Sequence, residues 1–144
     1  EVQLLLMRAT SICEIVLEVR DLGAAESFYE GVLQLPVTRI SPTLTLVEGE
    51  TFRIHLQGLG EHAHRGGSGF HFCFTSSEEE IGEASRAAQS LGLTIVGPKH
   101  LVNGVAAVWM FDYDNNEVEL SNYYLLDPRP RMESIDPSNN QGVM

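Results

Sequence analysis

Polar and apolar residues alternate through ICEIVLEVR, residues 12–20. Ile15, Leu17 and Val19 fall on one side, and Glu14, Val16, Glu18 and Arg20 on the other. This is the period of a strand with one face on a core and the other on something polar. Asp21 follows as an N-cap, and the pattern predicts a helix over residues 22–33, with Phe28, Val32 and Leu33 as its buried stripe. Pro36 lies just past its end. Strands are predicted at 43–48 and 51–57, joined through Glu48, Gly49 and Glu50. In the second of them Phe52, Ile54 and Leu56 share one face, and Arg53, His55 and Gln57 the other.

After a Gly-rich polar stretch, residues 58–69, the pattern restarts. GFHFCFTSS puts Phe70, Phe72 and Phe74 on one face and His71, Cys73 and Thr75 on the other. Ser77 and Glu80 form a capping box for a helix over residues 78–91, which buries Ile81, Ala84, Ala88 and Leu91 and stops at Gly92. Strands are predicted at 93–97, 105–111 and 117–123, with Asp112–Asn116 as a turn whose Asn and Asp residues tolerate left-handed backbone. The order strand–helix–strand–strand–strand is thus read twice. The expected fold is α+β: two tandem βαβββ modules forming a cup-shaped, partly open mixed β-barrel with helices outside. The expected organisation is an extension at 1–11, a first module at 12–57, a linker at 58–69, a second module at 70–123 and a tail at 124–144 rich in Pro, Asn and Asp.

Composition narrows the function. With 9 basic residues against 20 acidic ones, the formal net charge is −11. Phosphate neutralisation needs a basic surface, so nucleic acid is not an expected partner. No apolar run approaches the roughly 20 residues of a membrane span, and Leu4–Leu6 is too short for a secretory leader. Two cysteines, Cys13 and Cys73, make no disulfide framework and suit reduced thiols in a cytoplasm.

The chemistry lies on the polar strand faces. The first strand of module one offers Glu14 and its last strand His55; the first strand of module two offers His71 and its last Glu119. Singly, each has a plainer reading, as a solvated carboxylate or a cup-lining imidazole. Their equivalent places in two modules point instead to one divalent ion: Fe, Mn, Co, Ni or Zn. Four ligands leave two adjacent positions for a substrate with neighbouring oxygens, with the ion as Lewis acid and Glu14 or Glu119 moving a proton. Arg20, Arg53 and Glu18 share the polar faces of their strands and are candidates for substrate contact or for ion pairs with one another. Cys73, Trp109 and Phe111 are candidates for the pocket wall. Cys73 has no activating base in view. His62, His64 and His100 are expected in solvent.

The stretches EIVLEVRDLGAAESFYEGVLQL at 14–35 and FDYDNNEVEL at 111–120 resemble the vicinal-oxygen-chelate superfamily, which contains glyoxalase I, extradiol dioxygenases, methylmalonyl-CoA epimerase and the fosfomycin- and bleomycin-resistance proteins. The resemblance spans about residues 12–123 and implies ligands at the same four strand positions. Glu14 falls where the family often has His or Gln, and His55 where glyoxalase I has Glu; His71 and Glu119 match the usual types. The N and O donor count is kept while the order is shuffled, which weakens the case for the glyoxalase reaction specifically. The turn also departs, with Tyr113 in place of Pro and Asn116 near the usual Gly. The resemblance implies a lyase, isomerase, epimerase or dioxygenase with a small-molecule substrate, and a homodimer. A metal-free binding protein of the bleomycin-resistance type, holding a cationic molecule in an acidic groove, is the alternative, and a domain that binds nothing is a third.

Overall fold

The computed structural model describes residues 9, 11–64, 66, 70–101 and 104–126; of Tyr124 only the backbone is described. Most of the extension at 1–11, part of the linker and the tail beyond residue 126 lie outside the described residues. Contacts divide the chain into two compact units, one running up to Gly69 and taking in Asp112–Asn116, the other made of Phe70–Phe111 and the chain from Glu117 onward.

In the first unit the order is β1 (Glu14–Val19), α1 (Leu22–Gly31), β2 (Val37–Ser41), β3 (Leu44–Glu48) and β4 (Arg53–Gly58). The sheet runs β1-β4-β3-β2, with β1 parallel to β4 and the other neighbours antiparallel. Alternation decides which face is buried. Leu17, Val19, Val47, Ile54 and Leu56 are buried on the side that receives Leu22, Ala25, Phe28 and Tyr29 of α1. Asp21 caps the helix by accepting from Ala24 N at 2.8 Å. Each large apolar side chain so buried contributes about 1.5–3 kcal/mol.

The second unit repeats the order: β5 (His71–Thr75), α2 (Glu78–Ser90), β6 (Ile95–His100), β7 (Ala106–Phe111) and β8 (Glu117–Ser121). Its sheet runs β5-β8-β7-β6, again with the first strand parallel to the last. The expected capping box is present, Glu80 N donating to Ser77 Oγ at 3.2 Å and Ser77 N to Glu80 Oε2 at 2.7 Å. Gly92 ends the helix with a positive φ of 71°. The two tandem βαβββ modules of an α+β fold are therefore present, as two open four-stranded mixed sheets.

Several details differ from the sequence-based expectation. Strand β2 was not among the predicted segments. Three of its five residues are exposed and it pairs only with β3, so as an edge strand it carries little alternation to read. Leu91 is 44% exposed, because it is the C-cap and no longer follows the helical stripe. The last strand stops at Ser121 and a helical turn, α3 (Tyr123–Leu126), follows, where strand had been expected to 123. Asn122 Oδ1 takes the backbone N–H of Ala106 at 2.7 Å and so closes the ladder. Within 58–69 the chain makes a 3-10 turn at Gly60–His62. Among the described residues no helix is long and apolar enough to cross a membrane.

Candidate functional site

Parallel pairing of first and last strand places one donor pair on each sheet. In the first unit Glu14 opens β1 opposite Arg53, and His55 lies two residues further along β4, opposite Val16. Paired residues share a face, so Glu14 and His55 both emerge on the side away from α1. His55 Nε2 lies 3.6 Å from Glu14 Oε2, with 24% of the imidazole and 48% of the Glu14 side chain exposed. That Nε2 is buried and has no hydrogen-bond partner. An orphaned buried nitrogen costs about 1–3 kcal/mol; with the ring proton on Nδ1, Nε2 would present a lone pair of the kind a metal ligand needs.

The second unit repeats the offset with the residue types exchanged. His71 opens β5 opposite Glu117, and Glu119 lies two residues on along β8, opposite Cys73. His71 Nε2 is 3.3 Å from Glu119 Oε2, and its Nδ1 is 3.9 Å from Glu117 Oε2. Burial pushes the Glu119 carboxyl above the usual carboxylate range, while the His71 charge and a hydrogen bond from the Trp109 indole pull the other way. Burial, reinforced by the Glu119 charge, pushes the Cys73 thiol up to about 12 although part of the residue still meets solvent. A thiol held that high is protonated at neutral pH. Both cysteines are free thiols.

Among the described residues no three His, Cys, Asp or Glu side chains form a metal-sized group. Within each unit, the donors singled out by the sequence come in twos.

The arginines form ion pairs, with acids other than Glu18. Arg53 Nη2 lies 3.4 Å from Glu48 Oε1, and Arg20 Nε lies 3.7 Å from Asp114 Oδ1. Arg20 follows the far end of β1 from Glu14, about 20 Å of extended chain away. There it lines a shallow 330 Å³ depression with Asp21, Gly23 and Arg39. Glu18 accepts instead from the backbone of His64 at 3.1 Å. Phe111 is half-buried opposite Glu117 on β8. His62, His64 and His100 are exposed, as expected.

A buried polar cluster was not anticipated. The Tyr29 hydroxyl donates to Asp112 Oδ2 at 2.9 Å, and Asp112 also accepts from Asn116 Nδ2 and from the backbone of Asp114 and Asn116. The sequence pattern predicts a turn at DYDNN, and a turn forms there, with Asn115 in left-handed backbone at φ 62°. Nothing in the local pattern announces the distant phenol.

The chain belongs to the Glyoxalase/Bleomycin resistance protein/Dioxygenase superfamily, whose family model matches residues 11–120. Among solved structures it is similar to a lactoylglutathione lyase from Agrobacterium tumefaciens, at 24% identity over 80% of this chain and 95% of that one, with a TM-score of 0.62. It is similar to the fosfomycin resistance protein FosX from Mesorhizobium loti, at 20% identity over 81% and 92%, TM-score 0.63. The FosX of Listeria monocytogenes gives 19% identity over 81% and 93%, TM-score 0.63. At these identities the likeness is one of fold. No curated protein sequence matches the chain.

Proposed function

We propose that the chain is a divalent-metal-dependent enzyme acting on a small substrate that binds through two neighbouring oxygens. Glu14 and His55 of one module and His71 and Glu119 of the other would hold the ion, whether the two modules belong to one chain or to two chains of a homodimer. The observation that carries this is the unpartnered, buried Nε2 of His55 beside Glu14. Its support is the same imidazole–carboxylate offset at the equivalent place in the second sheet.

When bound, the ion would supply Lewis acidity to the substrate oxygens. The chain's own contribution differs between its two carboxylates. Glu119 has a side chain only 7% exposed, between His71 and Trp109, so it is fixed. Glu14 is 48% exposed, beside the His55 imidazole. Glu14 is accordingly the carboxylate assigned to proton transfer, at its Oε atoms, and Glu119 the permanent ligand. Trp109, Phe111 and Cys73 would line the substrate side. The free thiols fit a cytoplasmic setting.

Elemental analysis of tag-free protein tests this. Wild type is expected to carry one ion, and His71→Ala, His55→Ala and Glu119→Ala each to lose it; full occupancy in any of them removes that residue from the ligand set. A metal screen against methylglyoxal–thiol adducts, catechols and acyl-CoA esters then sorts the lyase, dioxygenase and epimerase chemistries, the first suggested by the name of the Agrobacterium structure. The net charge of −11 favours one other reading, a metal-free binder of a cationic molecule. Wild type that takes up no metal but binds such a molecule would establish it.

A further inference from the structure

We infer that the Asp112–Asn116 turn is a latch through which the two units open together. Its residues cluster with the first unit, while the strands it joins, β7 and β8, belong to the second. Three separate stretches of the first unit hold it. From α1, the Tyr29 hydroxyl donates to Asp112 Oδ2 at 2.9 Å. After the end of β1, the Arg20 backbone N–H donates to Asp114 Oδ1 at 2.9 Å, and the guanidinium lies 3.7 Å from the same oxygen. Further on, the Gly66 N–H donates to Asp114 O at 3.0 Å, and Asn115 Nδ2 donates to the Gly66 carbonyl at 3.1 Å.

The turn is also stiff. Asp112 Oδ1 accepts from the backbone N–H groups of Asp114 and Asn116 at 2.9 and 2.8 Å, and Oδ2 from Asn116 Nδ2 at 2.9 Å. With Tyr29 these fill the roughly four acceptor directions of a carboxylate. Asp112, Asp114 and Asn116 are buried, so parting them from the first unit strands buried polar groups. On the other side the ladder begins at once, Phe111 opposite Glu117, and runs to Ala107 opposite Ser121. These two strands are the centre of the sheet β5-β8-β7-β6. An opening of the first unit that frees the turn therefore loosens the second sheet at its middle, and not at an edge.

Native-state hydrogen exchange on the full chain tests this with Tyr29→Phe and with Ile54→Val, a mild core change in β4, where Ile54 is fully buried. The slowest amides of β4 should exchange about 2- to 10-fold faster in Ile54→Val and about 10-fold faster in Tyr29→Phe, and those of β7 and β8 by the same factor. In an Asp112→Ala background, which removes the acceptor of four hydrogen bonds, the effect of Ile54→Val on β7 and β8 should shrink. Faster exchange confined to the first unit overturns the latch. So does a Tyr29→Phe that changes neither unit, since the phenol would then hold nothing. An effect of Ile54→Val on β7 and β8 that is undiminished in Asp112→Ala places the coupling elsewhere and overturns it too.

Discussion

The Tyr29 hydroxyl and the Asp112 carboxylate, 83 positions apart along the chain, meet at 2.9 Å. Tyr29 is fully buried and Asp112 nearly so. Burial, with the neighbouring Asp112 charge, pushes the phenol well above its ordinary range, so it remains a donor. Tyr29→Phe keeps the ring packed edge-on against Phe28 and removes only that donor. A hydrogen bond to a charged partner contributes about 1.5–3 kcal/mol. Chemical denaturation should show a loss of about that size, at the low end because three other donors remain on Asp112. An unchanged midpoint would mean that the phenol adds nothing to the cluster.

Gly66 approaches the same turn from the other side. Its N–H donates to Asp114 O at 3.0 Å, and Asn115 Nδ2 donates to its carbonyl at 3.1 Å. A Cβ there would stand 2.5 Å from Asn115 O and 2.8 Å from Asn115 C. Both are backbone atoms and cannot turn aside. Gly66→Ala should therefore cost about 1–3 kcal/mol, whereas Gly31→Ala, which meets nothing within 4 Å, should be neutral or mildly stabilising. Equal midpoints for the two variants would show that the loop yields freely.

These two contacts mark where sequence reading stops. Elements whose signal is local were legible: the alternation of β1, β4 and β5, the Asp21 cap, the Ser77–Glu80 box and the Asp112–Asn116 turn. The edge strand β2 was not, because an exposed strand has no buried face to impose a period. For the candidate site, the four donor positions could be picked out because each lies opposite an apolar strand face. Their pairing as Glu14 with His55 and His71 with Glu119 follows from parallel register, a tertiary fact. The buried hydrogen bond from Tyr29 to Asp112 is harder still. Tyr29 read as part of a helix, its partner lying in the other half of the chain.

Acid should uncover the contribution of Glu26. The Arg39 guanidinium donates to its carboxylate, Thr45 Oγ1 donates at 2.6 Å, and the first of these chiefly holds Glu26 below its usual 4.5. A folded-state pKa below the unfolded one gives stabilisation that is complete above the unfolded value and disappears as pH falls through the folded value. Glu26→Gln should thus lower the denaturation midpoint at pH 7 and match wild type at a pH below the folded value. Both partners meet solvent, with 24% of the Glu26 and 44% of the Arg39 side chain exposed, so high salt should narrow the gap. A gap that widens in acid would contradict the sign.

Glu119 carries the opposite sign, and the reason bears on function. Its folded pKa is raised, mainly by burial. A carboxyl that is harder to ionise in the folded chain than in the unfolded one destabilises the fold wherever the unfolded carboxyl is ionised. The penalty is absent below about the ordinary value of 4.5, grows as pH rises through the folded value, and is constant beyond it. Glu119→Gln keeps the shape and removes the charge. In chelator-treated protein the variant should melt above wild type at pH 7, and the two should converge in acid. With cobalt(II) or manganese(II) in excess the order should reverse, because only the wild-type carboxylate would gain binding energy from the ion. If Glu119→Gln melts below wild type in the chelated state at neutral pH, the hydrogen bonds from Trp109 and His71 outweigh the cost of burial, and Glu119 is better understood as a structural anchor than as a ligand held ready.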